Sequence, residues 1–99
     1  MGEKFNIIFT TDDMKRVTIR DAKHVEVDVH QMTKREAKRF IKNIIVLNKD
    51  EFLLTVIHGY NGGHAIKSMI AKKQIHPRIA AITPARNNQG ITNLNVIHA

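Results

Sequence analysis

Asp28 and His30 are residues whose types and spacing could do chemistry. They stand two apart in Val25-Glu26-Val27-Asp28-Val29-His30, and residues two apart in an extended strand share a face. A carboxylate beside an imidazole orients the ring and supports it as a general base or acid near neutral pH. Short segments of this kind also arise by chance around surface or structural histidines. The same donors suit a divalent ion, a reading that ranks lower because a single carboxylate stands nearby. The second candidate is Ile57-His58-Gly59-Tyr60-Asn61-Gly62-Gly63, which joins a strand end, a histidine, flexible glycines and a helix start. Glycines let backbone approach an anion closely at a helix N-terminus. It is not a Walker loop, since Lys67-Ser68 come too late for one. A tight turn that needs glycine for positive φ is the structural alternative. Tyr60 would stack on an unpaired base or pack locally. His64, at the start of the following helix, is the nearest additional member, and Lys67, Lys72, Lys73, Arg78 and Arg86 are candidate phosphate contacts.

These residues need elements to bring them together. Val25 to His30 alternates, with three valines on one face, and reads as a half-buried strand. Thr33-Lys34-Arg35-Glu36 fits a capping box, and Ala37, Phe40, Ile41, Ile44 and Ile45 follow at helical spacing, which predicts a helix over Lys34–Leu47. Phe52–Ile57 is an apolar run of central-strand length. A second helix is expected over Gly63–Lys73, stopped before His76-Pro77. Ile79–Thr83 and Ile91–Ile97 read as strands joined by the turn-rich Pro84–Gly90. Ahead of these, Phe5–Phe9 and Arg16–Arg20 flank the polar Thr10–Asp13 and read as a hairpin.

The core order is βαβαββ. Two parallel crossovers and a final antiparallel pair give an α/β two-layer sandwich, with a mixed four-stranded sheet, both helices on one face and the N-terminal β-hairpin added. Parallel strands place their C-terminal ends on one edge, where ligands favour the crevice. Asp28, His30, His58 and both helix N-termini are expected there.

The 99 residues suffice for a single folding unit, and 42% hydrophobic content is that of a globular chain. No apolar run approaches the roughly 20 residues of a membrane span, and the first residues lack the apolar core of a signal peptide. A soluble, cytoplasmic protein is expected. Zero cysteines exclude disulfides, thiolate zinc sites and cysteine nucleophiles. Sixteen Lys+Arg against nine Asp+Glu give +7, a field attractive to phosphate backbones. Lys34, Arg35, Lys38, Arg39 and Lys42 lie opposite the apolar face of the first helix, where a solvated surface is the default reading.

Val25-Asp28-Val29-His30 followed by Thr33-Lys34-Arg35-Glu36-Ala37 resembles the Leu-Asp-x-His-Gly strand and helix start of the Smr (small MutS-related) family. His58-Gly59-Tyr60-Asn61-Gly62-Gly63-His64 is similar to that family's His-Gly-x-Gly or Thr-Gly-x-Gly loop. The similarity runs from Val25 to Ile97 in order. It implies an Smr-like domain over residues 25–99, with residues 1–24 as an extension, and a fold resembling the C-terminal domain of translation initiation factor three. It also implies an endonuclease that nicks or cuts RNA or DNA, RNA being favoured. Some members act on ribosomes. In that reading Asp28, His30 and His58 are catalytic, and Gly59, Tyr60, Asn61, Gly62, Gly63, His64, Lys67, Arg78 and Arg86 contact nucleic acid. No cofactor is needed if RNA is cut through its 2′-hydroxyl, although a divalent metal fits the donor types. The alternative is a non-catalytic nucleic-acid or ribosome-binding module that keeps the same surface. Gln31 stands where many members have glycine, and Asn61 replaces the second glycine of the loop. These departures bear on cutting more than on binding.

Overall fold

A computed structural model describes residues 11–59, 64–72 and 75–99. The elements are α1 (Thr11–Lys15), β1 (Val17–Asp21), β2 (His24–Asp28), α2 (Lys34–Leu47), β3 (Phe52–Ile57), α3 (His64–Ala71), β4 (Ile79–Pro84) and β5 (Ile91–Val96). Among the described residues, no helix is long and apolar enough to cross a membrane.

Helix α2 starts where its capping box directs. The Glu36 amide donates to Thr33 Oγ1 at 3.1 Å and the Thr33 amide to Glu36 Oε1 at 2.9 Å, so two amides at the helix start find partners. Ala37, Phe40, Ile41, Ile44 and Ile45 are its buried stripe. Ile41 is wholly buried, and truncating such a side chain to alanine costs about 2–5 kcal/mol. In α3 the buried residues are Ile66 and Ile70.

The sheet has five strands in the order β1-β2-β3-β5-β4. Strands β2 and β3 are parallel, β5 is antiparallel to β3 and β4, and β1 is antiparallel to β2. Register aligns Val25, Leu54, Leu94 and Ile82 in one row, and Val27, Val56 and Thr92 in the next. Right-handed crossovers place α2 and α3 on the same face, and the two helices pack against each other. The valines of β2, Leu54, Val56, Leu94 and the helix stripes form one core. The opposite face is polar across its middle, where His24 Nε2 meets Thr55 Oγ1 at 2.9 Å and Thr55 Oγ1 donates to Asn93 Oδ1 at 2.7 Å.

The N-terminal expectation needs correction, because the sheet has five strands rather than four. Residues read as a polar turn begin α1, with Asp12 and Asp13 in its first turn, where carboxylates favour the positive end of the helix dipole. The strand that follows pairs with β2. The turn between them is closed by Asp21 Oδ1, which accepts from the Lys23 amide at 2.7 Å. This short Asp-centred turn contains neither glycine nor proline to announce it. The Phe5–Phe9 segment lies outside the described residues.

Candidate functional site

Parallel pairing of β2 with β3 brings Asp28 level with Ile57, and the Val29 amide continues the ladder to the Ile57 carbonyl at 2.9 Å. The chain then turns sharply. The Met32 amide reaches the Val29 carbonyl at 3.1 Å and Gln31 takes φ 72°, the left-handed backbone that the third position of such a turn demands and glycine supplies freely. Gln31 is the sole non-glycine among the described residues with positive φ.

The turn holds the Asp28 and His30 side chains together at an exposed edge. His30 Nδ1 makes a close hydrogen bond to Asp28 Oδ1, which also accepts the His30 amide at 3.1 Å. A carboxylate can only accept, so Nδ1 carries the proton and Nε2 is the basic nitrogen. Among the described residues nothing hydrogen-bonds to that Nε2, and the His30 side chain is 47% exposed. Arg16 secures the backbone beneath, its Nη1 donating to the Asp28 carbonyl at 2.9 Å and the His30 carbonyl at 3.2 Å. Arg16 precedes β1, outside the motif region, and no sequence signal marks it.

The second motif meets the first through Gly59. It adopts φ +89°, and a Cβ built there would stand 3.3 Å from the His30 Cβ. The His58 and Gly59 amides both donate to the Gly90 carbonyl, at 2.9 and 3.1 Å. The Gly59 N–H is thus committed to the β4–β5 turn, and what Gly59 contributes at this edge is close backbone approach.

His58 lies beneath the surface with 1% exposure. Its Nδ1 donates to the Gly59 carbonyl at 3.0 Å, and its Nε2 accepts from Thr92 Oγ1 at 2.9 Å. Burial holds its pKa below the ordinary value; the Gly59 carbonyl opposes this and nearby Lys67 adds to it. A neutral, doubly bonded ring suits a brace between β3 and β5 better than a proton carrier.

His64 begins α3 at the same edge and is exposed, with the half-buried Lys67 one turn on. Arg86 is exposed in the turn that ends at Gly90. Arg78 is elsewhere. It precedes β4 and so sits at the opposite edge, donating to the carbonyls of Ile45 (2.8 Å), Ile97 (2.7 Å), Lys49 (3.2 Å) and Asp50 (3.1 Å). Its expected phosphate contact gives way to this structural use: α2 has no basic residue in its last turn, and Arg78 supplies the cation its C-terminus favours. Tyr60, Asn61, Gly62 and Gly63 lie outside the described residues. Among the described residues, no group of three or more His or carboxylate side chains could hold a metal ion.

No protein-family model matches the sequence, and no curated protein matches it. Among solved structures, the chain is similar to the Smr domain of Thermus thermophilus MutS2, with a TM-score of 0.59 and 22% identity over 72% of this chain and 95% of that one. The α/β sheet, covered by two helices and opening at the Asp28–His30 edge, defines the class of domain. The fold is Smr-like.

Proposed function

We propose that the protein binds nucleic acid at the edge formed by Asp28, His30, Gly59 and the start of α3, and that it cuts RNA there. The observation that carries this reading is the exposed His30, its Nδ1 held by Asp28 and its Nε2 without a partner among the described residues. His30 Nε2 takes the proton of a 2′-hydroxyl, whose oxygen attacks the adjacent phosphorus as the 5′-oxygen bond breaks. The products are a 2′,3′-cyclic phosphate and a 5′-hydroxyl that gains its proton from water. Lys67 and Arg86 are the cations nearest to this edge among those expected from the sequence, and they offset charge on the phosphoryl oxygens. No metal is required by this route.

End-labelled RNA incubated with wild type, His30→Ala and Asp28→Asn, with and without chelator, tests it. Loss of His30 should slow cutting by about 10²–10⁴-fold, and a 2′-deoxy sugar at the scissile position should block it. Undiminished cutting by His30→Ala would remove the proposal. The burial of His58 favours one other reading, a binding module that does not cut, because it leaves the edge without a second acid–base histidine from the motif pair. Retained binding with no cleavage by wild type would select it.

A further inference from the structure

Helices α2 and α3 both begin at the edge that carries His30, and a groove of about 450 Å³ lies between them. Lys34 and Lys38 line it from α2, Ser68 from α3 and Lys72 just past its end, with Met69 and Ile75 among its apolar lining. A second depression of about 280 Å³ extends it across α2 past Arg39 and Lys42. Among the described residues, no carboxylate lines either one.

An ordinary solvated helix face interleaves opposite charges at positions that meet. In α2 the pairs Lys34/Lys38, Arg35/Arg39 and Lys38/Lys42 are like charges four apart, each disfavouring the helix. Lys34 and Arg35 also occupy the first turn, against the helix dipole. Glu36 is the helix's sole acidic residue, and it is engaged with the Thr33 amide. The cations therefore concentrate field in the groove at a cost to the helix, which an anionic occupant would offset.

The groove's size falls in the range, about 300–1,000 Å³, of sites that hold one small ligand. That accommodates nucleotide units of one strand but not the width of a duplex. Lys34 and Lys38 stand about 6 Å apart along the helix axis, a step that suits phosphates along an extended backbone. Among the described residues no aromatic side chain lines the groove, and the contacts they offer are cations for phosphates.

We propose that the α2–α3 groove holds the single-stranded nucleic-acid segment flanking the phosphodiester at His30, its phosphates paired with Lys34, Lys38 and Lys72. This rests on the nucleic-acid reading of the His30 edge and assigns the path of the strand away from it.

Fluorescence anisotropy with a labelled single strand of about 12 nucleotides, as RNA and as DNA, and with a blunt duplex, tests this at salt from about 50 to about 200 mM. The proteins are wild type, His30→Ala and the double variant Lys38→Glu/Lys72→Glu. Wild type and His30→Ala should bind the single strands more tightly than the duplex. The double variant should lose at least about ten-fold in affinity, and its salt slope should fall by about 1.4, or about 0.7 for each phosphate that no longer meets a lysine. It should melt no lower than wild type, since Lys38→Glu relieves repulsion along α2. An unchanged affinity and slope in the double variant, while wild type binds, would overturn the groove assignment alone. Preference for the duplex, or equal displacement of the strand by polyglutamate, would also overturn it. Absence of all nucleic-acid binding by wild type would instead defeat the reading of the His30 edge.

Discussion

Gly59 lies against His30 so closely that a Cβ on the glycine would stand 3.3 Å from the Cβ of the histidine. Gly59 also has φ +89°, so alanine there meets both backbone strain and a neighbour that must give way. Gly59→Ala should lower stability by about 1–3 kcal/mol in urea titrations, and cleavage should fall more than strand binding as His30 shifts.

The same close approach marks how far the site was legible in the sequence. Alternation in β2, the capping box of α2 and the apolar run of β3 are local patterns, and each element formed within a residue or two of where it was read. Their meeting at one edge followed from parallel crossovers. What escaped was the work of polar side chains across long separations. His58 reads as catalytic and Arg78 as a phosphate contact, yet their partners are carbonyls and a threonine supplied largely by distant segments. Arg16 was invisible for the same reason, since both of its acceptors are backbone atoms.

Arg16→Ala should leave the fold intact but loosen the backbone under Asp28 and His30. As a positioning residue, Arg16 is expected to affect kcat, lowering it roughly ten-fold, with little change in KM and a displaced pH profile. Arg16→Lys should restore only part, because an ammonium lacks the guanidinium's reach and fixed geometry. A change in KM alone would contradict this role.

Gln31→Gly should be stabilising. A left-handed side-chain residue costs about 1–2 kcal/mol, and the greater freedom of glycine in the unfolded chain returns about 0.5–1 kcal/mol. The net gain of up to about 1.5 kcal/mol is readable by chemical denaturation, and an appreciable loss would contradict the strain assigned to the turn.

Stability should fall as pH drops below 6.5. His58 is held neutral in the fold, chiefly by burial, so below its ordinary value of 6.5 the unfolded chain takes up a proton that the folded chain resists. Above that pH the two states carry the same charge at this ring and the effect vanishes. His76, lowered by burial and by Arg78 and Lys42, acts in the same direction. Urea unfolding on either side of this window should show a smaller difference in His58→Gln than in wild type.

Arg78→Ala should cost about 2–4 kcal/mol, since four carbonyls lose a charged donor. Strand affinity per folded molecule should stay the same, which separates this arginine from the lysines of the groove.

That fastening has a wider consequence. Arg78 ties the end of α2, the approach to β3 and the exit from β5 into one knot at the edge opposite His30. A scaffold locked at one margin gives its other margin licence to vary. Exposed positions such as His64 and Arg86 can be exchanged there without first solving the problem of staying folded. The knot does not share that freedom: it is where neutral drift should be slowest.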